Sequence, residues 1–204
     1  MEKFIICVDF DGVLFDSPSR VFGFPEIVKI EPQKFMEAFR DFRKEQEFLP
    51  ESFCKFMEER GLITQEAAVS LCERLLEIQR DAASLLYPDA IEFLKQFSKE
   101  NLMILSRAHP DWQKPNIENS GLDKYVKRVE IVQGEEGKKN VLQELSQKYP
   151  LIYFIEDDPK ELESVKTMSG VKFLLLNRGK IPGAQGGYKN LLEIAKLIKT
   201  DLEI

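Results

Sequence analysis

Five short apolar runs do most to limit the folds open to this chain: Phe4 to Val8, Leu102 to Leu105, Val129 to Val132, Leu151 to Ile155 and Val171 to Leu176. Each is bounded by charged or turn residues, and such compact, nearly unbroken runs suit strands buried on both faces of a parallel sheet. Helical patterns at Pro88 to Ser98, Lys139 to Lys148 and Pro159 to Met168 separate the runs, and another at Tyr188 to Lys199 closes the chain. The alternation predicts βαβ units and therefore an α/β fold.

One interval breaks this rhythm. From Ser17 to Tyr87 there is no convincing strand; Phe35, Phe39 and Phe42 recur at helical spacing, Pro50-Glu51-Ser52 marks a helix start, and a pattern opening at Thr64 runs through Leu71, Leu75 and Ile78. A small helical insertion between the first and second strands is expected. Eight of the 15 Phe fall within it. A shallow bundle needs large side chains to make a core, so packing is favoured over an aromatic surface facing a substrate. The Gly/Pro-rich stretch from Asn177 to Gly187 reads as a loop.

Composition narrows the class of partner. With 204 residues, 43% of them hydrophobic, the chain can bury one sizeable core and carry a modest insertion. Its 29 Lys+Arg against 35 Asp+Glu give a net charge of -6, which argues against a nucleic-acid duplex or an anionic membrane surface as partner. A small anion held by a few focused donors remains compatible with that charge. No segment reaches the roughly 20 apolar residues needed to cross a bilayer, and two acids cut short the first apolar run before it could serve as a signal-peptide core. Cys7, Cys54 and Cys72 are odd in number and widely spaced, which fits neither a disulfide framework nor a zinc site. A reduced, cytoplasmic setting is the expectation.

The sharpest local feature is Asp9-Phe10-Asp11-Gly12-Val13-Leu14-Phe15-Asp16, at the carboxyl end of the first run. Ligands of open α/β sheets bind in the crevice outside the strand ends. Carboxylates at i and i+2 lie on one side of an extended chain and repel each other unless a cation or a proton intervenes. Gly12 permits a tight turn and close approach of backbone to a ligand. A calcium loop of the EF-hand kind does not fit, because counting back from Gly12 puts Cys7 at the first ligand position. Gly134-Glu135-Glu136-Gly137-Lys138-Lys139 lacks the glycine spacing of a P-loop.

This string resembles the first motif of the haloacid dehalogenase-like (HAD) phosphohydrolase superfamily, and the helical insertion after it resembles that family's first-type cap. Three further motifs follow in the family's order over nearly the whole chain. Leu102-Met103-Ile104-Leu105-Ser106 ends on the hydroxyl of the second, Gly137-Lys138-Lys139-Asn140 offers the lysine of the third, and Ile155-Glu156-Asp157-Asp158 offers the acidic pair of the fourth. Two positions depart from the family's habit: Glu156 stands where Gly is frequent, and Lys139 where Pro is frequent. Strand alternation puts Asp157 on one side and Glu156 with Asp158 on the other, which favours Asp157 as metal ligand with Asp158 second. The spacing of Lys138 to Leu142 favours Lys138 over Lys139.

The resemblance implies a Rossmann-like core made of residues 1–16 and 88–204, a helical cap at 17–87, and Mg2+ as cofactor. It implies that Asp9 is the nucleophile that forms an aspartyl-phosphate, and that Asp11 gives a proton to the leaving alcohol and later takes one from water. Mg2+ would be held by Asp9, the backbone carbonyl of Asp11 and Asp157, while Ser106 and Lys138 bind phosphoryl oxygens. Arg107 and the backbone at Gly12 are further candidates for substrate contact, with a surface salt bridge as the plainer role for Arg107. Asp11 also favours phosphoryl transfer, since by the same resemblance the dehalogenases lack an acid at that position. Asp16 would brace the turn into the cap or cap a helix, and His109 is more simply exposed than catalytic. The expected activity is hydrolysis of a small phosphorylated metabolite. The alternatives are a phosphomutase acting on a sugar phosphate and a non-catalytic module that binds magnesium and phosphate.

Overall fold

The computed structural model describes residues 3–179 and 186–204, and only the backbone of residues 18–22. Five strands, β1 (Phe4–Val8), β2 (Leu102–Arg107), β3 (Arg128–Val132), β4 (Leu151–Glu156) and β5 (Val171–Leu175), form one parallel sheet in the order β3-β2-β1-β4-β5. Every expected run is therefore a strand. All five residues of β1 are buried, as expected of a central strand covered on both faces. Because the chain passes from β3 across to β4 on the other side of β1, the strand order reverses between β1 and β4. A crevice opens at the carboxyl ends of strands at such a reversal.

Among the described residues, nine α-helices accompany the sheet: α1 (Ser17–Val28), α2 (Pro32–Glu45), α3 (Pro50–Glu59), α4 (Gln65–Arg80), α5 (Ala90–Leu94), α6 (Pro110–Ser120), α7 (Gly137–Ser146), α8 (Pro159–Val165) and α9 (Leu191–Leu202). The pattern expected over Pro88 to Ser98 is helical for only one turn and a half. The N-H groups of Gln96 and Phe97 reach back three residues, to Phe93 and Leu94, and this tightening ends α5. Residues 180–185 of the Asn177 to Gly187 loop lie outside the described ones. No helix of the described residues is long and apolar enough to cross a membrane.

Helices α1 to α4 occupy the expected insertion and carry their own apolar cluster, in which Phe35, Phe42, Phe53, Met57 and Leu71 are all but inaccessible. Phe53 meets the Phe42 ring edge-on at 5.3 Å and the Phe39 ring at 5.5 Å. Burying each such ring contributes about 2 kcal/mol, which explains how so thin a bundle holds together. The cluster continues onto α6, where Trp112 meets Phe48 at 5.4 Å and its carbonyl accepts a hydrogen bond from Gln79 at 3.1 Å.

The chain leaves β1 and returns from the insertion through one narrow junction. Asp16 N-H donates to the Leu85 carbonyl (2.8 Å), Tyr87 N-H to the Leu14 carbonyl (3.0 Å), and the Tyr87 hydroxyl to the Asp16 carboxylate (3.1 Å). Asp16 thus braces the turn. Arg178 adds a second tie: its guanidinium pairs with Asp89 at 2.8 Å, donates to the Val13 carbonyl at 2.9 Å and lies over the Tyr87 ring.

Candidate active site

The crevice at the end of β1 and β4 collects the side chains that the sequence singles out. Asp9 follows β1 directly, its N-H donating to the Ile155 carbonyl of β4 at 3.0 Å, and its side chain is buried. The next residues fold into a tight loop, with the N-H groups of Leu14 and Phe15 both returning to the Phe10 carbonyl. Gly12 makes that loop feasible. Its φ is +76°, and a Cβ there would stand 2.0 Å from an Asp157 carboxylate oxygen, so a side chain would collide with the acid from β4.

Lys138 enters from the first turn of α7 and is 3% exposed. Its ammonium donates to Asp9 at 2.8 Å and to Glu156 at 2.6 Å. Lys139 instead pairs with Glu136 at the surface, so the two lysines are told apart by burial. Burial works against the charge of Lys138, but the Asp9 and Glu156 carboxylates more than offset it and hold the ammonium above the ordinary lysine range. For Asp9 the balance runs the other way. Burial, and then the Glu156 carboxylate, raise it well above the usual carboxylate range despite Lys138. Burial and Glu156 also push Asp157 up to about 8.

Asp9, Glu156 and Asp157 each offer a carboxylate oxygen within 4.8 Å of the others. Against one ammonium, full ionisation of the three carboxylates would leave two negative charges uncompensated. Without a cation, burial and this excess hold Asp9 and Asp157 towards their protonated forms, and one divalent cation would balance it. Hard carboxylate oxygens suit Mg2+, which takes one or two of them and completes its shell with water or phosphate oxygen. The acidic pair after β4 is arranged differently from the alternation expected. The strand ends at Glu156, so its period does not extend to Asp157, and Glu156 lies in the triad beside Asp157. Both Glu156 oxygens are already engaged, one by Lys138 and the other by the N-H groups of Asp157 and Asp158. Asp158 lines the cleft but lies outside the triad. It is the N-cap of α8, accepting the Lys160 N-H at 2.9 Å, and that helix start uses the carboxylate expected to serve as second metal ligand.

Ser106, at the end of β2, and Asp11 are brought together by a residue that sequence reasoning missed. The Gln113 amide, fully buried on α6, donates to Asp11 at 2.5 Å and to the Ser106 hydroxyl at 2.7 Å. Glu161 and Arg43 also line the cleft without having been anticipated. Arg107 forms an ion pair with Glu161 at the cleft wall, and burial raises the Glu161 carboxyl above its ordinary value. His109 is the N-cap of α6, its ring nitrogen accepting the Asp111 N-H, which gives it a structural task. Cys7 and Cys54 are buried and Cys72 partly so; burial pushes the Cys7 thiol up to about 12.

Two measurements follow from this geometry. Replacing Gln113 with Leu removes an anchor from both Asp11 and Ser106, so kcat should fall about tenfold or more, with a smaller change in KM. A rise in KM with kcat unchanged would mean that Gln113 does not hold Asp11 and Ser106 for the reaction. The second concerns pH. Asp9 and Asp157 titrate above the ordinary Asp value near 3.8, so the folded chain binds more protons than the unfolded one from about pH 4 upward. Without metal, stability contributed by these groups is full at low pH and is lost as pH rises towards 8. Thermal unfolding of wild type and Asp157→Asn should therefore diverge with rising pH in favour of the variant, and saturating Mg2+ should reverse the order.

No family model and no curated protein matches the sequence. Solved structures do match the fold over nearly the whole chain. An L-2-haloacid dehalogenase from Xanthobacter autotrophicus aligns at 15% identity and a TM-score of 0.69, over 98% of this chain and 99% of its own. The candidate HAD hydrolase YfnB from Bacillus subtilis, bound to magnesium, aligns at 14% and 0.64, over 97% and 99%. A candidate phosphoglycolate phosphatase from Lactobacillus plantarum aligns at 16% and 0.59, over 97% and 100%. The chain has the haloacid dehalogenase-like fold, a Rossmann-like α/β core. Proteins sharing it include both dehalogenases and phosphatases, and the fold alone does not choose between them.

Proposed function

We propose that this chain is a magnesium-dependent phosphohydrolase acting on a small phosphorylated metabolite, with a core of residues 1–16 and 88–204 and a cap at 17–87. The observation that carries this reading is the grouping of Asp9, Asp11, Ser106 and Lys138 around one cleft, with Asp11 tied through Gln113 to Ser106. A dehalogenating site has no leaving oxygen to protonate. A phosphate ester does, and Asp11 supplies a second acid beside the nucleophile for that task.

Asp9 attacks phosphorus and takes the phosphoryl group, while Asp11 delivers its proton to the departing alcohol. Lys138 and Ser106 hold phosphoryl oxygens, where charge is spread in the transition state. Asp11 then accepts a proton from the water that cleaves the aspartyl-phosphate. Asp9, Asp157 and the backbone of Asp11 would hold Mg2+, with Glu156 the remaining member of the acid triad positioning Lys138. Bound there, Mg2+ would neutralise carboxylate and phosphate charge and so let an anionic nucleophile approach an anionic ester. Buried carboxylates next to a phosphate otherwise repel it.

The test is product analysis on a panel with Mg2+ present. Inorganic phosphate is the expected product from at least one phosphate monoester, and no chloride from L-2-chloropropionate. Chloride release without phosphate release would replace this reading with dehalogenation.

A further inference from the structure

A cavity of about 310 Å3 adjoins the acidic cleft, between the insertion and the sheet. Seven aromatic residues, among them Phe39, Phe48 and Trp112, make up half of its 14 lining residues, and Leu75, Ile78 and Ala108 complete the apolar wall. Among the described residues its polar lining consists of Asp11, Ser17, Arg43 and Arg107, and all four also line the cleft that holds Asp9 and Lys138. Both guanidiniums are already paired, Arg43 with Glu47 at 2.6 Å and Arg107 with Glu161. The two spaces therefore join at a polar mouth, and beyond it the cavity is apolar and largely aromatic.

Phosphoryl transfer fixes which way a bound ester points. The attacking and leaving oxygens lie roughly in line through phosphorus, so the alcohol departs on the side away from Asp9. Asp11, the group proposed to protonate that oxygen, stands at the mouth of the aromatic cavity. As the bond from Asp9 to phosphorus forms and the bond from phosphorus to the alcohol oxygen breaks, the Asp11 proton passes to that oxygen. Water then cleaves the aspartyl-phosphate, its proton returning to Asp11 and its oxygen leaving as phosphate.

Resting on the phosphohydrolase reading, we infer that the substrate is the phosphate monoester of a compact apolar alcohol, whose hydrocarbon part occupies the aromatic cavity. A sugar or nucleoside would bring hydroxyls to a wall of phenyl rings. Each hydroxyl left without a partner costs about tenfold in binding, whereas an aryl or branched alkyl group gains contact with the partly exposed rings of Phe39, Phe48 and Trp112. The cavity's volume lies at the small end of ligand pockets, which run from about 300 Å3 upward.

Benzyl phosphate and glucose 6-phosphate are both esters of primary alcohols, so comparing them reports on the cavity more than on leaving-group chemistry. With Mg2+ present, kcat/KM should favour benzyl phosphate by about tenfold or more, and Phe39→Ser should narrow the ratio. Trp112 is the only tryptophan in the chain, so benzyl alcohol should change its emission saturably while glucose does not. Equal or better hydrolysis of glucose 6-phosphate would overturn the inference and leave the phosphohydrolase reading standing. Release of phosphate from no ester at all would overturn both. Absence of any saturable Trp112 response to benzyl alcohol would overturn the cavity assignment whatever the kinetics.

Discussion

Asp9→Asn should lower phosphate release by about a thousandfold or more, since an amide can neither attack phosphorus nor carry the charge that draws a cation into the cleft. The fold should survive the change. Asp9 is buried in its charged neighbourhood and held above the usual carboxylate range by burial and Glu156, so replacing it with a neutral isostere relieves a strain of like charges. Circular dichroism and thermal unfolding of the variant should therefore match or exceed those of the wild type without metal. A loss of activity accompanied by unfolding would not count in favour of a nucleophile. Activity within tenfold of wild type on every hydrolysed ester would remove Asp9 from the chemistry.

The largest loss of stability should come from Lys138→Met. Its ammonium is the shared partner of two carboxylates buried beside it, Asp9 and Glu156. Removing one side of such a buried pair leaves uncompensated charge and costs about 3–5 kcal/mol, as read from urea unfolding at neutral pH. The neighbouring Lys139→Met is the control. Its pair with Glu136 is at the surface, and loss of such a pair changes stability by about 0.5 kcal/mol or less. Equal effects from the two substitutions would mean that the buried network is not what holds the end of β4 to β1. Phosphate affinity in the presence of Mg2+ should also fall for Lys138→Met and not for Lys139→Met.

Much of this arrangement can be read from the chain itself. The three central strands, β1, β2 and β4, are legible because almost every residue is buried and their apolar runs are unbroken. Strands β3 and β5 lie at the sheet edges, where exposed Arg128 and Lys172 and the partly buried Glu130 enter the strands, and they are legible from the apolar residues that remain. Asp9 and Asp11 are legible because two acids abruptly end a buried strand. Lys138 is distinguished from Lys139 only through its spacing to Leu142, and α7 turns that face inward, so that Lys138 is buried with Val141, Leu142 and Leu145. Helix α6 is not legible. Pro110 begins it and Pro115 lies inside it, and the face it buries carries Gln113, Asn116 and Ser120 with Ile117 as its one apolar member, so the periodicity that marks other helices is missing. Gln113, which sits on that helix, was invisible for the same reason. Glu161 and Arg43 escape because a charged residue on a helix ordinarily faces solvent, and only the fold brings these two to the cleft. The Phe-rich insertion was expected to use its rings for packing. Phe42 and Phe53 do so, yet Phe39, Phe48 and Phe53 also face the cavity, and ring count alone cannot separate those tasks.

The covalent step is the most direct point of contact with experiment. Wild-type protein mixed with Mg2+ and the ester it hydrolyses fastest, quenched in acid within the first turnovers and digested, should yield a peptide spanning Asp9 that is heavier by one phosphoryl group. The label should disappear on treatment with hydroxylamine, as an acyl phosphate does, and should be absent from Asp9→Asn. A phosphoryl group found on another residue, or rapid turnover with no labelled peptide at any quench time, would contradict the assignment of Asp9 as nucleophile.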